Sequence, residues 1–146
     1  MKIIKYFFEF IFIITFFFIF KIIGYKNSSN LGSIIGKKIG PIFRSNSKIL
    51  ENLNKCNIGN SLEERLIIIK NMWGNYGRIL SEYIYIKEFR KNNLKKFIEI
   101  EGIEHLNEIK KNNKQAIFVS GHFNNFELMA MEIEKSGINL AAVYRP

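Results

Sequence analysis

Residues 6–23 constrain this chain more than any other segment. Phe10 to Phe20 runs without a charge and is interrupted only by Thr15, with Tyr6-Phe7-Phe8 before it and Ile22-Ile23 after it. An apolar block of roughly 18 residues sits at the lower limit of what a bilayer-spanning helix needs. A secretory signal would require a small-residue cleavage site after the block, but the sequence continues Gly24-Tyr25-Lys26-Asn27-Ser28. Residues 1–30 are therefore expected to form an uncleaved membrane anchor. Lys2 and Lys5 precede the block, whereas Lys21, Lys26, Lys37, Lys38, Arg44 and Lys48 follow it. That excess of positive charge on the C-terminal side predicts a cytoplasmic location for the rest of the chain.

Residues 31–60 read as an amphipathic, interfacial helical segment. Gly32, Gly36 and Gly40 recur every four residues, so one helix face would be bare backbone that permits close packing. Lys37 and Lys38 opposite an apolar face also suit a helix lying at the membrane surface, and Pro41 is expected to kink or end it. Ser61-Leu62-Glu63-Glu64 is a capping box for a long helix. In that helix Leu62, Leu66, Ile69, Trp73, Tyr76, Leu80 and Tyr83 form one apolar stripe, expected to be core.

From residue 95 onward the pattern alternates. Phe97-Ile98-Glu99-Ile100, Ala116-Ile117-Phe118-Val119 and Ile138 to Tyr144 read as strands, with helices at Ile103 to Lys111 and Phe126 to Lys135. The expected fold class is thus α/β, with residues 61–146 as its α/β domain. Sites in such sheets gather at the carboxyl ends of strands. Ser120-Gly121-His122-Phe123-Asn124-Asn125-Phe126-Glu127 falls at one such end, and Arg145 at another. Across a strand-to-helix turn, Glu127 can come under the ring of His122, a base and its orienting carboxylate. Imidazole titrates near neutrality and can take a proton from an alcohol. A helix N-terminus beginning near Asn124 or Asn125 favours an oxyanion or a phosphate. Arg145 at a strand exit is either a clamp for an anionic group or a plain surface residue. Asn124, Asn125 and Arg145 are the candidate substrate-binding residues, and His122 and Glu127 the candidate catalytic pair.

The formal charge of +9 does not favour a nucleic-acid partner, since 17 of the 22 basic residues are Lys and the charge is scattered. It suits an anionic membrane surface or an acidic protein. Cys56 is single and no Cys/His cluster occurs, so neither a metal nor a cofactor is expected.

Ile98-Glu99-Ile100-Glu101-Gly102, then Gly121 to Glu127, then Val143-Tyr144-Arg145-Pro146 resemble the bacterial lipid A biosynthesis lauroyl/myristoyl acyltransferases. Asn52-Leu53, Glu63-Glu64-Arg65 and Asn75-Tyr76-Gly77-Arg78 with Glu82 fit the same pattern. Family members carry Gly-Asn-Trp-Glu after His-Phe, where this chain has Asn124-Asn125-Phe126-Glu127; Asn tolerates positive φ, so the first change is mild. The resemblance implies an inner-membrane enzyme with a glycerolipid-acyltransferase-like α/β sandwich. Such an enzyme moves a fatty acyl group from an acyl carrier protein thioester to a hydroxyl of a lipid A precursor. The motif His would be the general base and the motif acid its partner, here His122 and Glu127. The resemblance further implies a longer protein, so the sequence is expected to be its N-terminal half, inactive on its own. A related acyltransferase with another lipid acceptor and an inactive membrane-bound remnant are the alternatives.

Overall fold

The computed structural model describes residues 2–121 and 123–143. The chain divides into two compact units, residues 1–85 and 86–146.

The first unit begins with α1, Lys2–Ile23. Its 22 residues rise about 33 Å, slightly more than the roughly 30 Å of a bilayer's hydrocarbon core. It is the one described helix long and apolar enough to cross a membrane. Phe20 is its only buried residue; Phe8, Phe12 and Phe18 stand exposed. Rings four residues apart touch along the helix, Phe12–Phe16 at 4.6 Å and Phe16–Phe20 at 5.8 Å between centroids.

Gly24, at φ 80°, breaks the helix and starts α2, Tyr25–Phe43. The last carbonyls of a helix lack internal partners, and here polar side chains supply them. The fully buried Ser28 Oγ lies 2.6 Å from Phe20 O and 2.8 Å from Gly24 O, able to donate its one hydrogen to either. Tyr85 Oη donates to Phe20 O at 2.5 Å. The Tyr85 ring meets Tyr25 edge-on at 5.6 Å, with Lys21 Nζ 5.4 Å from its centroid. This knot fixes the exit of α1 to the body of the unit.

Helix α3, Asn46–Lys55, is capped by Ser45, whose Oγ accepts from Ser47 N at 3.2 Å. The long helix α4, Leu62–Glu82, begins as its sequence predicts. Ser61 Oγ accepts from Glu64 N at 3.1 Å, and the Glu64 carboxylate accepts from Asn60 N at 2.7 Å. A 3-10 turn at Tyr83–Tyr85 closes the unit. Trp73 Nε1 donates to Asn46 Oδ1 at 3.0 Å, holding α3 to α4.

The apolar stripe of α4 is not the core it was expected to be. Ile69 is buried, but Leu62 is 59 % exposed and Tyr76 and Leu80 are 60 % exposed. Helix α4 instead turns Trp73, Gly77 and Ser81 to α2, against Gly32, Gly36 and Gly40. The reason is geometric. Glycines at four-residue spacing on one helix let a second backbone approach to contact distance, and that close packing outcompetes a contact through long side chains.

The second unit holds α5 (Ile86–Arg90), a 3-10 turn (Lys95–Phe97), α6 (Ile103–Lys111) and α7 (Glu127–Lys135). Its buried centre is Phe89 with Met131 and Ile133. Arg90 Nη2 bonds Glu134 Oε2 at 3.0 Å, and that carboxylate raises the guanidinium pKa. Lys135 Nζ reaches Glu132 Oε1 and Asn92 Oδ1, both at 2.6 Å, and Lys110 Nζ donates to Ser136 O at 3.0 Å.

The expected α/β sheet is overturned: no strand occurs among the described residues. Phe97 belongs to a 3-10 turn, while residues 98–100, 115–119 and 138–143 are irregular. Ile117 and Val119 are 92 % and 91 % exposed, the opposite of buried strand residues. A helix closes its hydrogen bonds within itself, whereas an extended run becomes a strand only when a second run lies alongside at roughly 4.8 Å. None of these three runs is paired as a strand among the described residues. The part of the third run at Tyr144 lies outside them.

Candidate functional site

Two candidate residues, His122 and Arg145, lie outside the described residues. The structure describes the rest of the motif, and it brings Asn124, Asn125 and Glu127 onto one turn that opens α7. Ser120 Oγ donates to Gly121 O at 3.1 Å, and Phe123 N donates to the same carbonyl at 2.9 Å. Asn124 then takes φ 47°, the left-handed conformation, which asparagine reaches more readily than other residues bearing a Cβ. Asn125 O accepts from Leu128 N at 3.1 Å and Phe126 O from Met129 N at 3.2 Å, so the turn tightens directly into the helix.

Glu127 is the first residue of α7. Its carboxylate sits at the positive end of the nine-residue helix, where the dipole favours an anion. Phe126 precedes it as N-cap with no side-chain cap bond. The helix thus starts one residue after Phe126, the start that the periodicity indicates, and the turn over 124–126 is not yet helical.

Asn125 differs from its neighbours. Both polar atoms of its carboxamide, Oδ1 and Nδ2, are buried without a hydrogen-bond partner among the described residues. A buried amide left unsatisfied costs about 1–3 kcal/mol, so such groups in a folded protein call for an explanation. Here the orphaned amide is two residues from Glu127 and three from His122 in sequence.

Beside α7 lies a cleft of about 510 Å³. Ile98, Ile100, Leu106, Phe118, Leu128 and Met129 line its apolar wall, with Glu99, Glu101 and Glu132 also on its lining. The sequence treats Ile98 and Ile100 as strand residues, and no pattern in it announces a cleft. The whole run from Phe97 to Gly102, apolar and acidic residues alike, borders this hollow. Three carboxylates and an apolar wall suit a mainly uncharged ligand better than an anion. Among the described residues no group of His, Cys, Asp and Glu could hold a metal ion.

No curated protein and no solved structure matches the chain. The family described as bacterial lipid A biosynthesis acyltransferase does match it, over residues 1–146. With that match covering all of its residues, the chain belongs to the bacterial lipid A biosynthesis acyltransferase family.

Proposed function

We propose that the chain serves acyl transfer from an acyl carrier protein thioester to a hydroxyl of a lipid A precursor, with His122 as general base and Glu127 as its orienting partner. The observation that supports this reading best is the position of Glu127. A carboxylate at the first residue of α7 follows a left-handed turn at Asn124 within the family's His-containing motif.

The chemistry follows from these groups. Neutral imidazole takes the proton of the acceptor hydroxyl as its oxygen attacks the thioester carbonyl carbon. The carboxylate holds the ring in one tautomer and stabilises the imidazolium that forms. A tetrahedral oxyanion develops beside the positive end of α7, where fixed dipoles stabilise it. The carbon–sulfur bond then breaks, and the imidazolium returns its proton to the leaving thiolate. Asn125 offers a buried amide N–H without a partner among the described residues, suited to hold a substrate oxygen. Asn124 shapes the turn, and Arg145 would clamp an anionic group of donor or acceptor.

The apolar α1 supports membrane association, in this reading with the inner membrane and with the rest of the chain on the cytoplasmic side where a carrier protein is available. The chain's net charge of +9 suits an acidic carrier. The test uses the complete gene product in detergent with radiolabelled acyl donors and an under-acylated lipid A precursor. Label should move from carrier protein thioester to the glycolipid as an ester. Transfer from coenzyme A alone would overturn the donor assignment, and transfer only to a phospholipid would overturn the acceptor.

A further inference from the structure

A second hollow, of about 530 Å³, opens between α2 and α4 in the first unit. Ser33 and Lys37 of α2 line it, with Asn71, Asn75 and Arg78 of α4. The three- and four-residue steps between these positions put them on one side of each helix. Ile68 and Met72 complete the lining, and no carboxylate takes part in it.

Gly74 accounts for the presence of Lys37. A Cβ at Gly74 would stand 2.6 Å from Lys37 Cε and 2.8 Å from Ser33 Oγ. The lysine stem therefore lies across bare α4 backbone, which keeps this half-buried residue on the groove. Arg78 is held from the other side. Its Nη1 donates to Ser29 Oγ at 3.0 Å and Asn30 Oδ1 at 3.1 Å, both neutral oxygens. Glu82, one turn further along α4, accepts from Ser29 Oγ at 2.7 Å and from Tyr25. A lysine whose stem lies against Gly74 and a guanidinium bonded to neutral oxygens thus line one groove with amide and hydroxyl groups, and a guanidinium fork matches phosphate oxygens in particular.

The surroundings indicate where the phosphate comes from. Only Gly24 separates α2 from the apolar α1. Ile34 of α2 and Ile67, Tyr76 and Leu80 of α4 are exposed on the same two helices. Apolar side chains beside a cationic groove are what a surface lying among lipid headgroups presents.

We propose that this groove binds the phosphate of an anionic phospholipid at the membrane surface. It needs neither His122 nor Glu127, so it stands or falls independently of the acyl-transfer reading. The full chain, purified in uncharged detergent, is tested by native mass spectrometry with phosphatidylglycerol, with diacylglycerol of the same acyl chains, and with inorganic phosphate. Phosphatidylglycerol should be retained over diacylglycerol. Lys37→Gln should lower that retention about tenfold, as for a lost charge-assisted hydrogen bond. Gly74→Ala, which keeps every charge but displaces the Lys37 stem, should lower it in the same direction. Arg78→Gln also removes the brace on Ser29 and Asn30, so the Lys37 and Gly74 variants carry the test if that protein fails to fold. Equal retention of both lipids, or unchanged phosphatidylglycerol retention in folded Lys37→Gln protein, overturns the proposal. Inorganic phosphate binding as tightly as the lipid overturns its assignment to a lipid headgroup.

Discussion

Gly36 of α2 and Gly77 of α4 meet backbone to backbone: a Cβ added at Gly36 would stand 3.0 Å from both Cα and N of Gly77. The same Cβ would collide with Trp73 O, and one at Gly77 with Gly32 O. Backbone atoms cannot rotate aside as a side chain can, so the helices themselves must separate. Overpacking of this kind costs about 1–3 kcal/mol. Gly36→Ala and Gly77→Ala should each lower the unfolding midpoint of the detergent-solubilised chain. Gly24→Ala has open space around its Cβ and tests strain alone, through its positive φ. Full stability in both interface variants would contradict this packing.

A prediction about pH follows from the contact of Tyr25 with Glu82. Burial, then the charge and hydrogen bond of the Glu82 carboxylate, push the Tyr25 phenol up to about 12, with Arg78 opposing. A phenol is charged when deprotonated, so the folded state holds this proton more tightly than the unfolded state does. The resulting stability is fully present below pH 10 and is lost as pH rises toward 12. Tyrosinate absorbance should show a late-ionising phenol in native protein that Tyr25→Phe lacks. The difference in stability between the two proteins should shrink over the same range. A Tyr25 that ionises near pH 10 in folded protein would refute the buried contact with Glu82.

How far the sequence discloses the structure depends on whether an element is local or not. The helical state of residues 6–23, the Ser61–Glu64 cap and the positive φ of Asn124 all depend on a few adjacent residues, and each was legible. The Gly32, Gly36 and Gly40 spacing announced a close helix contact but could not name its partner, because Gly77 and Trp73 are more than 30 residues away. The apolar stripe of α4 misled for the same reason. Periodicity finds an apolar face but does not say whether another element covers Leu62, Tyr76 and Leu80. The three strand-like runs misled most, since a strand is defined by a neighbour that no single run encodes. Of the candidate site, the turn and Glu127 were legible from the motif. The orphaned amide of Asn125 was not, because burial without a partner is a property of the folded turn.

Asn125 separates a structural from a functional role. Its buried amide has no partner to lose among the described residues, so Asn125→Ala should leave the melting temperature unchanged or slightly raised. If the amide serves substrate, acyl transfer by the complete gene product should fall about tenfold or more, as for one lost hydrogen-bond donor at a developing charge. A marked loss of stability with normal turnover in the folded fraction would show instead that the amide holds the turn together.

The proposed base and carboxylate make a sharper demand, because residues acting as one unit do not contribute additively. In the complete gene product His122→Ala should lower acyl transfer by about 10²–10⁴-fold, the usual contribution of a positioned base. Glu127→Ala should cost no more than that, since it disorients the ring without removing it. The double variant should be little worse than His122→Ala alone. All three proteins should retain membrane attachment, because the substitutions leave the apolar α1 unchanged. Turnover of the parent should fall on the acid side as the imidazole becomes protonated, and Glu127→Gln should move that limb to lower pH by removing the carboxylate's charge. Losses that simply multiply in the double variant would mean that the two residues act separately. Near-normal turnover in both single variants would remove the pair from the mechanism altogether.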